Sequence, residues 1–180
     1  VWLNLDCYAG EELYSDGAGE EELLDIVKHN RADRVPALIR ERAKWPILYH
    51  LSEQRENIID WFPMKVGASV LEVGAGSCAV TGALVRIASR VVANDLSKRR
   101  SLINAWRHRD AKNLELAVGN FNRVSEMLTE KFDYVTLIGV LEYAPSYMAG
   151  EDPFGTFLEK INGLLKPDGE ILIGIENRLG

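Results

Sequence analysis

Cysteine is scarce in this chain, in which only 2 of 180 residues are cysteines. Cys7 and Cys78 lie far apart, so they form neither the close pairs that bind zinc nor the dense framework of small secreted domains. We therefore expect reduced thiols, no metal site and a cytoplasmic protein. The first residue is Val rather than Met, and we expect a piece of a longer protein.

Long apolar stretches are also missing. No run approaches the ~20 apolar residues that a membrane-spanning helix needs, so we expect no membrane span. The first residues, VWLNLDCYAG, lack the basic leader of a secretory signal peptide. With 47% hydrophobic and 27% charged residues, the composition is instead that of a globular domain with a core.

Positive charge is scarce at the start of the chain. Residues 1–33 hold nine Asp or Glu against one Lys and one Arg, although the whole chain carries a net charge of only −6. An acidic segment of this kind repels a nucleic-acid backbone, so we expect no nucleic-acid partner. The one basic cluster, in SKRRSLINAWRHRDAK, is interpreted as a solvated helix face.

From Ser69 onward, apolar strand-like segments alternate with amphipathic helix-like segments. The predicted strands cover residues 69–73, 90–94, 114–118, 132–140 and 170–175. Ser97 and Asp152 are predicted to cap two of the helices between them. Near-continuous apolar strands separated by helices are typical of a parallel sheet covered on both faces. The sequence therefore predicts an α/β fold, with a doubly wound, Rossmann-like parallel sheet of five strands.

Helical patterns dominate the region before this sheet, near residues 19–29, 35–43 and 46–62. We predict an N-terminal helical extension or lid over residues 1–65, followed by the Rossmann-like domain over residues 66–180. Arg55 lies on an otherwise apolar stripe that contains Leu48, Leu51, Ile58 and Phe62. Two interpretations of Arg55 stay open. Its stem packs while its guanidinium reaches water, or the guanidinium meets a carboxylate in a cleft beside the sheet.

The turn after the first predicted strand, EVGAGSCAV, contains Gly74 and Gly76. In parallel α/β sheets ligands bind at the carboxyl ends of the strands, where glycines permit a tight turn and close approach to the backbone. Asp95 ends the next strand, where a carboxylate can accept hydrogen bonds from both hydroxyls of a ribose. The pattern therefore predicts a ligand that contains a nucleoside.

Two kinds of nucleoside ligand fit this turn. Gly74, Gly76, Ala79 and Asp95 match the pattern of dinucleotide-binding loops, so an NAD-dependent oxidoreductase domain is one hypothesis. Glu72 favours a different ligand, because a carboxylate at the mouth of the loop is unfavourable beside a pyrophosphate and favourable beside a cation.

Several motifs in the expected order resemble the class I S-adenosylmethionine-dependent methyltransferases: EVGAG, Asp95, FDYVTLIGVLEY and LLKPDGEILIGI. The resemblance covers about residues 66–180 and implies a methyltransferase whose cofactor is S-adenosylmethionine. Cys78 stands where the family usually has a third glycine, and Asn120 where it often has an acid. The family normally adds two strands after the fifth, so we expect a domain truncated at its C-terminus.

The resemblance also implies which residues bind the cofactor. Glu72, Gly74, Ala75 and Gly76 would hold the methionine end, Asp95 the ribose, Leu96, Asn120 and Phe121 the adenine, and Gly139 with Val140 the methionine arm. We add Arg55 to this set.

A narrower similarity concerns KWPILYHLSEQRENIIDWFP and IENRLG. These segments are similar to bacterial methyltransferases found beside or fused to glycosyltransferases of surface-polysaccharide synthesis. The similarity implies a glycosyltransferase in the same chain or pathway as a partner, but it says little about the acceptor, for which we expect a small molecule or a saccharide.

Glu142 and Tyr143 follow the fourth predicted strand and are the predicted catalytic residues, beside the expected position of the methyl acceptor. Glu142 is predicted as a general base, with turn capping as the alternative, and His50 and Tyr49 are further candidates. The segment EYAP is not the Asn-Pro-Pro-aromatic signature of enzymes that methylate planar nitrogens, so an oxygen or carbon acceptor is favoured. A non-catalytic nucleoside-binding module is the remaining alternative.

Overall fold

The computed structural model describes residues 1–12 and 17–176, which contain a six-stranded parallel sheet. Its strands are β1 (Trp2–Cys7), β2 (Ser69–Val73), β3 (Arg90–Asp95), β4 (Leu114–Gly119), β5 (Phe132–Ile138) and β6 (Leu165–Gly174). The spatial order is β1-β4-β3-β2-β5-β6, and neighbouring strands are parallel throughout. The chain runs outward from β2 to β4 and then returns to β5 on the other side of β2. The predicted doubly wound α/β fold is confirmed.

Helices cover both faces of this sheet. In the described ranges they are α1 (Ala18–His29), α2 (Val35–Arg42), α3 (Trp45–Leu51), α4 (Asn57–Asp60), α5 (Thr81–Ile87), α6 (Lys98–Arg107), α7 (Phe121–Met127), α8 (Ala144–Tyr147) and α9 (Pro153–Leu164). Both predicted caps are present. Ser97 Oγ accepts the N–H of Arg100 at 3.1 Å, and Asp152 Oδ1 accepts the N–H of Gly155 at 2.9 Å. None of these helices combines the length and apolarity that crossing a bilayer requires.

Residues 2–7 form a strand, so the prediction of a helical extension is wrong for this segment. β1 lies at the edge of the sheet and pairs with β4, with Trp2 opposite Glu115 and Cys7 opposite Gly119. Gly119 is required there, because a Cβ at this position would collide with the carbonyl oxygen of Cys7. An edge strand needs no continuous apolar run, and WLNLDC has none, which explains why its pattern was missed.

The third predicted helix is also different in the structure. Residues 46–62 form α3, a 3-10 turn at Glu53–Glu56 and α4 instead of one helix. The predicted apolar stripe is therefore not a single face, since Leu51 is 1% exposed while Leu48 is 41% and Ile58 is 43% exposed. Ser52 begins the 3-10 turn by accepting the N–H of Gln54 at 3.3 Å. Arg55 lies in this turn.

The N-terminal helices pack against the sheet domain through a shared apolar cluster. Leu23 and Ile26 from α1 and Leu51 from α3 share this cluster with Cys78 from the β2–α5 loop and Ile103 from α6. The glycine-containing loop is therefore covered by residues from the start of the chain. Burial of these side chains, at roughly 1.5–3 kcal/mol each, holds the two parts together.

The acidic start of the chain pairs with the basic cluster on α6, so the interpretation of that cluster as a solvated face is wrong in part. Arg100 Nε donates to Glu20 Oε1 at 2.6 Å, and the two side chains are only 12% and 1% exposed. Glu12 accepts the hydroxyl of Ser97 and the N–H of Arg99. Asp16, part of the same acidic segment, lies outside the described residues.

β6 is the edge strand on the other side of the sheet within the described ranges. The segment IENRLG follows it, and residues 177–180 of that segment lie outside the described residues. The expectation that the domain is truncated at its C-terminus stays a prediction.

Candidate functional site

A cavity of about 360 Å³ lies at the carboxyl ends of β2, β3, β4 and β5, where the strand order reverses. Parallel α/β sheets bind their ligands at this position. The residues predicted from the sequence to bind a cofactor all line it: Glu72, Gly74, Ala75, Gly76, Asp95, Leu96, Asn120, Phe121, Gly139 and Arg55. The fold thus brings together four strand ends and the 3-10 turn that carries Arg55.

The loop after β2 has a backbone conformation that favours glycine. Gly74 has φ +69° and Gly76 has φ +56°. A Cβ on Gly74 would collide with Cγ2 of Val140, whereas a Cβ on Gly76 would meet nothing within 4 Å. Gly74 therefore lets the loop pack against the end of β5, and Gly76 leaves space on the cavity side. Cys78 adopts φ +72° although it is fully buried, a conformation that costs a non-glycine residue about 1–2 kcal/mol.

We expect Gly74→Ala to lower the free energy of unfolding by about 2–4 kcal/mol, because left-handed strain and overpacking against Val140 add. Gly76→Ala is the matched control, since it introduces the same strain without the collision and should cost about 1–2 kcal/mol. Urea unfolding of both variants and the wild type measures the difference. Equal losses for the two variants would contradict the role of Val140.

Asp95 ties the glycine loop to the start of α6. Its Oδ2 accepts the N–H of Gly76 at 2.7 Å, and its Oδ1 accepts the N–H of Ser97 at 2.8 Å. Burial raises the pKa of Asp95, while the two backbone hydrogen bonds oppose this rise. Each carboxylate oxygen keeps a second lone pair, so Asp95 can also accept two hydroxyls from a ligand.

Glu72 lies in the floor of the cavity and is 4% exposed. Burial raises the pKa of Glu72 to about 8, the charge of Asp95 adds to the rise, and a hydrogen bond from Thr81 opposes it. Without a ligand the carboxyl group is therefore mostly neutral at pH 7. A cation beside it would favour the ionised form, so this end of the cavity is suited to a positively charged group.

Two hydroxyl groups in the cavity wall were not among the site residues predicted from the sequence. Ser77 Oγ and Thr136 Oγ1 are buried, line the cavity and have no hydrogen-bond partner within residues 1–12 and 17–176. Buried polar atoms usually have partners, so these two are suited to binding polar atoms of a ligand. Thr136 could have been found from its sequence, because it is a polar residue among the apolar residues at the carboxyl end of the strand FDYVTLI.

Arg55 lies in the cavity wall with its guanidinium carbon 3.9 Å from the centre of the Tyr49 ring. This distance is typical of a cation–π interaction. Among residues 1–12 and 17–176, the contact of the Arg55 guanidinium is with Tyr49 and not with a carboxylate, so the described residues supply no partner for the cleft interpretation.

The structure separates the two residues predicted to be catalytic. Tyr143 lines the cavity and is 48% exposed, whereas Glu142 is not part of the cavity wall. Glu142 Oε2 is buried without a partner among the described residues, and the helix starts around it have no side-chain cap. The structure therefore has Tyr143 in the cavity wall and Glu142 behind it, with Oε1 of Glu142 3.8 Å from the position of a Cβ on the wall residue Gly139.

The structure also adds wall residues that sequence reasoning did not single out. Arg100 reaches the cavity from α6, and Tyr147, Met148 and Phe157 form an apolar and aromatic side after β5. Their positions depend on packing between distant segments, so no local pattern signals them. His50 and Tyr49, the further candidates from the sequence, line the cavity as well.

Residues 71–171, more than half of the chain, match a protein family that is described as a methyltransferase domain. This chain belongs to the methyltransferase domain family. The match decides between the two predicted readings of the glycine loop in favour of the methyltransferase. The predicted class and its cofactor, S-adenosylmethionine, are confirmed at the level of the family. No curated protein matches the sequence of this methyltransferase-domain chain.

Solved structures of methyltransferases share the fold at low sequence identity. The DhpI–SAM–HEP complex has a TM-score of 0.55 and 18% identity, over 91% of this chain and 70% of that one. A S-adenosylmethionine-dependent methyltransferase from Thiobacillus denitrificans, in complex with S-adenosyl-L-homocysteine, has a TM-score of 0.54 and 16% identity, over 91% of this chain and 56% of that one. Phosphoethanolamine N-methyltransferase 1 from Haemonchus contortus has a TM-score of 0.59 and 17% identity, over 83% of this chain and 33% of that one. The methyltransferase-domain chain thus spans between a third and seven tenths of their lengths.

Proposed function

We propose that the cavity binds S-adenosylmethionine and that the chain transfers its methyl group to a small-molecule or saccharide acceptor, at an oxygen or carbon atom. One observation carries this proposal. Two buried carboxyl groups, Glu72 and Asp95, lie at the carboxyl ends of adjacent strands beside a glycine loop. A ligand with a positive charge would favour the ionised form of Glu72, which a pyrophosphate would oppose, and Asp95 can accept hydrogen bonds from a sugar diol.

The residues present fit the parts of this cofactor. Glu72 would hold the ammonium group of the methionine end, and Arg55 the carboxylate of the same end. Asp95 would accept the ribose hydroxyls. Asn120 Oδ1 already accepts the N–H of Asn122 at 2.9 Å as the cap of α7, so its amide N–H₂ is the group available to an adenine nitrogen. Leu96 and Phe121 would pack against the adenine.

The bound cofactor supplies an electrophilic methyl group, so the main tasks of the chain are to orient an acceptor and to exclude water. The apolar and aromatic side formed by Tyr147, Met148 and Phe157 would limit access of water. Tyr143, which lines the cavity, would hydrogen-bond an acceptor oxygen. Glu142 stays a proposed base that would have to reach the cavity by a change in its turn.

Saccharide acceptors and a glycosyltransferase partner are the finer part of the proposal. The partner is supported by the resemblance of KWPILYHLSEQRENIIDWFP to methyltransferases found beside or fused to glycosyltransferases of surface-polysaccharide synthesis, and a saccharide is the acceptor that such a partner would supply. The segment EYAP supports an oxygen or carbon acceptor. A cytoplasmic location follows from the same proposal, because such sugar precursors are made in the cytoplasm.

Calorimetric titration with S-adenosylhomocysteine, S-adenosylmethionine and NAD tests the proposal. We expect saturable binding of the first two and none of NAD. Methyl transfer is then measured with labelled S-adenosylmethionine and nucleotide-linked sugars, using the full-length protein that contains this chain. Binding of NAD in place of S-adenosylhomocysteine would overturn the proposed cofactor. Cofactor binding without transfer to any acceptor would favour a non-catalytic module.

A further inference from the structure

A chain of buried hydrogen bonds extends behind the cavity, away from the side that a ligand would occupy. Asn104 Nδ2 donates to Thr81 Oγ1 at 2.8 Å, and Thr81 Oγ1 donates to Glu72 Oε2 at 2.7 Å. Asn104 and Thr81 are 0% exposed and Glu72 is 4% exposed. The chain joins α6, α5 and β2, and neither Thr81 nor Asn104 lines the cavity.

The direction of these hydrogen bonds follows from the chemistry of the groups. An amide N–H₂ can only donate, so the oxygen of Thr81 is the acceptor in the first bond. The hydroxyl proton of Thr81 is then available for Glu72 Oε2. Thr81 takes one lone pair of Oε2, whereas Oε1 accepts no hydrogen bond within residues 1–12 and 17–176 and is the oxygen more available to a ligand in the cavity.

We infer that Thr81 and Asn104 are positioning residues for the binding of the cofactor, acting through Glu72. They orient its carboxyl group with Oε1 toward the cavity, and they stabilise the negative charge that Glu72 acquires when a cationic group binds. The inference rests on the proposed function for the identity of that cation. The orientation itself follows from the hydrogen bonds.

Glu72 needs this support because its other surroundings disfavour a charge. It is buried, and the carboxyl group of Asp95 from β3 adds repulsion. A hydrogen bond donated to an ionised group is stronger than one to a neutral group, so the Thr81 bond strengthens when Glu72 loses its proton. Binding of a cation at pH 7 would therefore release a proton from Glu72, whose pKa burial raises to about 8 without ligand.

Other charged or titratable groups face the same cavity and define the background of a pH experiment. They are Asp95 and Arg100 on one side, Arg55, His50 and Tyr49 from the N-terminal helices, and Tyr143 and Tyr147 after β5. The buried thiol of Cys78 lies in the loop above Glu72, and burial raises its pKa.

Two substitutions of Thr81 separate its hydroxyl from its volume. Thr81→Val keeps the shape and removes the hydrogen bond, and Thr81→Ser keeps the hydroxyl. Calorimetry with S-adenosylhomocysteine from pH 6 to 9 should show wild-type affinity that rises with pH and levels off near pH 8. For Thr81→Val we expect roughly 10- to 100-fold weaker binding at pH 7. The affinity of this variant should level off at a higher pH than that of the wild type. Thr81→Ser should follow the wild type, and Asn104→Ala should shift in the same direction as Thr81→Val.

A second measurement needs no ligand. The Glu72 carboxyl carbon, followed by NMR in the ligand-free protein, should titrate near pH 8 in the wild type and at higher pH in Thr81→Val. If Thr81→Val matches the wild type in both titration and affinity, the positioning role is wrong. If wild-type protein does not bind S-adenosylhomocysteine, the proposed function fails, and the NMR titrations still decide whether Thr81 supports the charge of Glu72.

Discussion

Asp95→Ala is expected to weaken the binding of S-adenosylhomocysteine at least a hundredfold. Two hydrogen bonds from the ribose to a carboxylate would be lost, and each contributes about 1.5–3 kcal/mol. The substitution also removes the acceptor for the N–H groups of Gly76 and Ser97, so the glycine loop loses its tie to α6. Calorimetric titration at pH 7.5 measures the affinity, and thermal unfolding measures the accompanying loss of stability.

Asp133→Ala is the matched control for this experiment. Asp133 also accepts a hydrogen bond from a backbone N–H, that of Ser69 at 2.8 Å. It forms an ion pair with Nζ of Lys166 at 2.7 Å. It lies near the start of β5, at the opposite end of the strands from the cavity. This variant should lose stability and keep its affinity. A change of less than threefold in the affinity of Asp95→Ala would mean that the ribose does not lie on Asp95.

The second large effect concerns the stability of the ligand-free protein at different pH values. Burial raises the pKa of Glu72 in the folded state to about 8, from an ordinary value of 4.5. Between these two values the unfolded chain binds fewer protons than the folded one, so stability falls as the pH rises from about 4.5 to about 8. At 1.36 kcal/mol for each unit of pKa, ionisation of Glu72 alone would lower the free energy of unfolding by up to about 5 kcal/mol.

Glu72→Gln should remove most of this fall. At pH 8.5 the variant should therefore be more stable than the wild type by several kcal/mol, while near pH 5 the two should be similar. Some fall should persist in the variant, because burial also raises the pKa of Asp95. Urea unfolding at pH 5, 6.5 and 8.5 measures these differences. If the free energy of unfolding changed with pH in the same way for both proteins, Glu72 would be ionised in the folded protein without loss of stability, and the prediction would be wrong.

Stability and binding are thus expected to oppose each other at Glu72. A neutral glutamine would stabilise the empty cavity and weaken its hold on a cation, since the ligand then meets no negative charge. This combination is typical of functional sites, where buried charged groups are kept although they destabilise the fold. The proposed role of Thr81 and Asn104 limits that destabilisation by supporting the ionised form of Glu72.

The local part of the site could be predicted because short sequence patterns determine it. Glu72, Gly74 and Gly76 lie within five residues, and the loop conformation that they share depends mainly on glycine. Asp95 could be added because neighbouring parallel strands end at the same edge of a sheet, so two strand ends far apart in sequence come together. The central strands were visible for a related reason, since burial on both faces makes them continuously apolar.

Other parts of the molecule depended on pairs of segments that no local pattern connects. The ion pair of Arg100 with Glu20 spans 80 residues, and without its partner Arg100 was interpreted as part of a solvated helix face. β1 became a strand through pairing with β4, and not through an apolar pattern of its own. Glu142 and Tyr143 are adjacent in sequence, yet only the turn after β5 decided which of them faces the cavity.

The sequence by itself determined the fold class, the position of the ligand-binding edge and the two carboxyl groups there, because strand burial and glycine turns are encoded in consecutive residues. Only the tertiary structure decided how the carboxyl group of Glu72 is held, since its hydrogen-bond chain comes from Thr81 and Asn104 on two different helices. The orientation of a buried carboxyl group is determined by its hydrogen-bond partners, and these partners meet only after the helices have packed on the sheet.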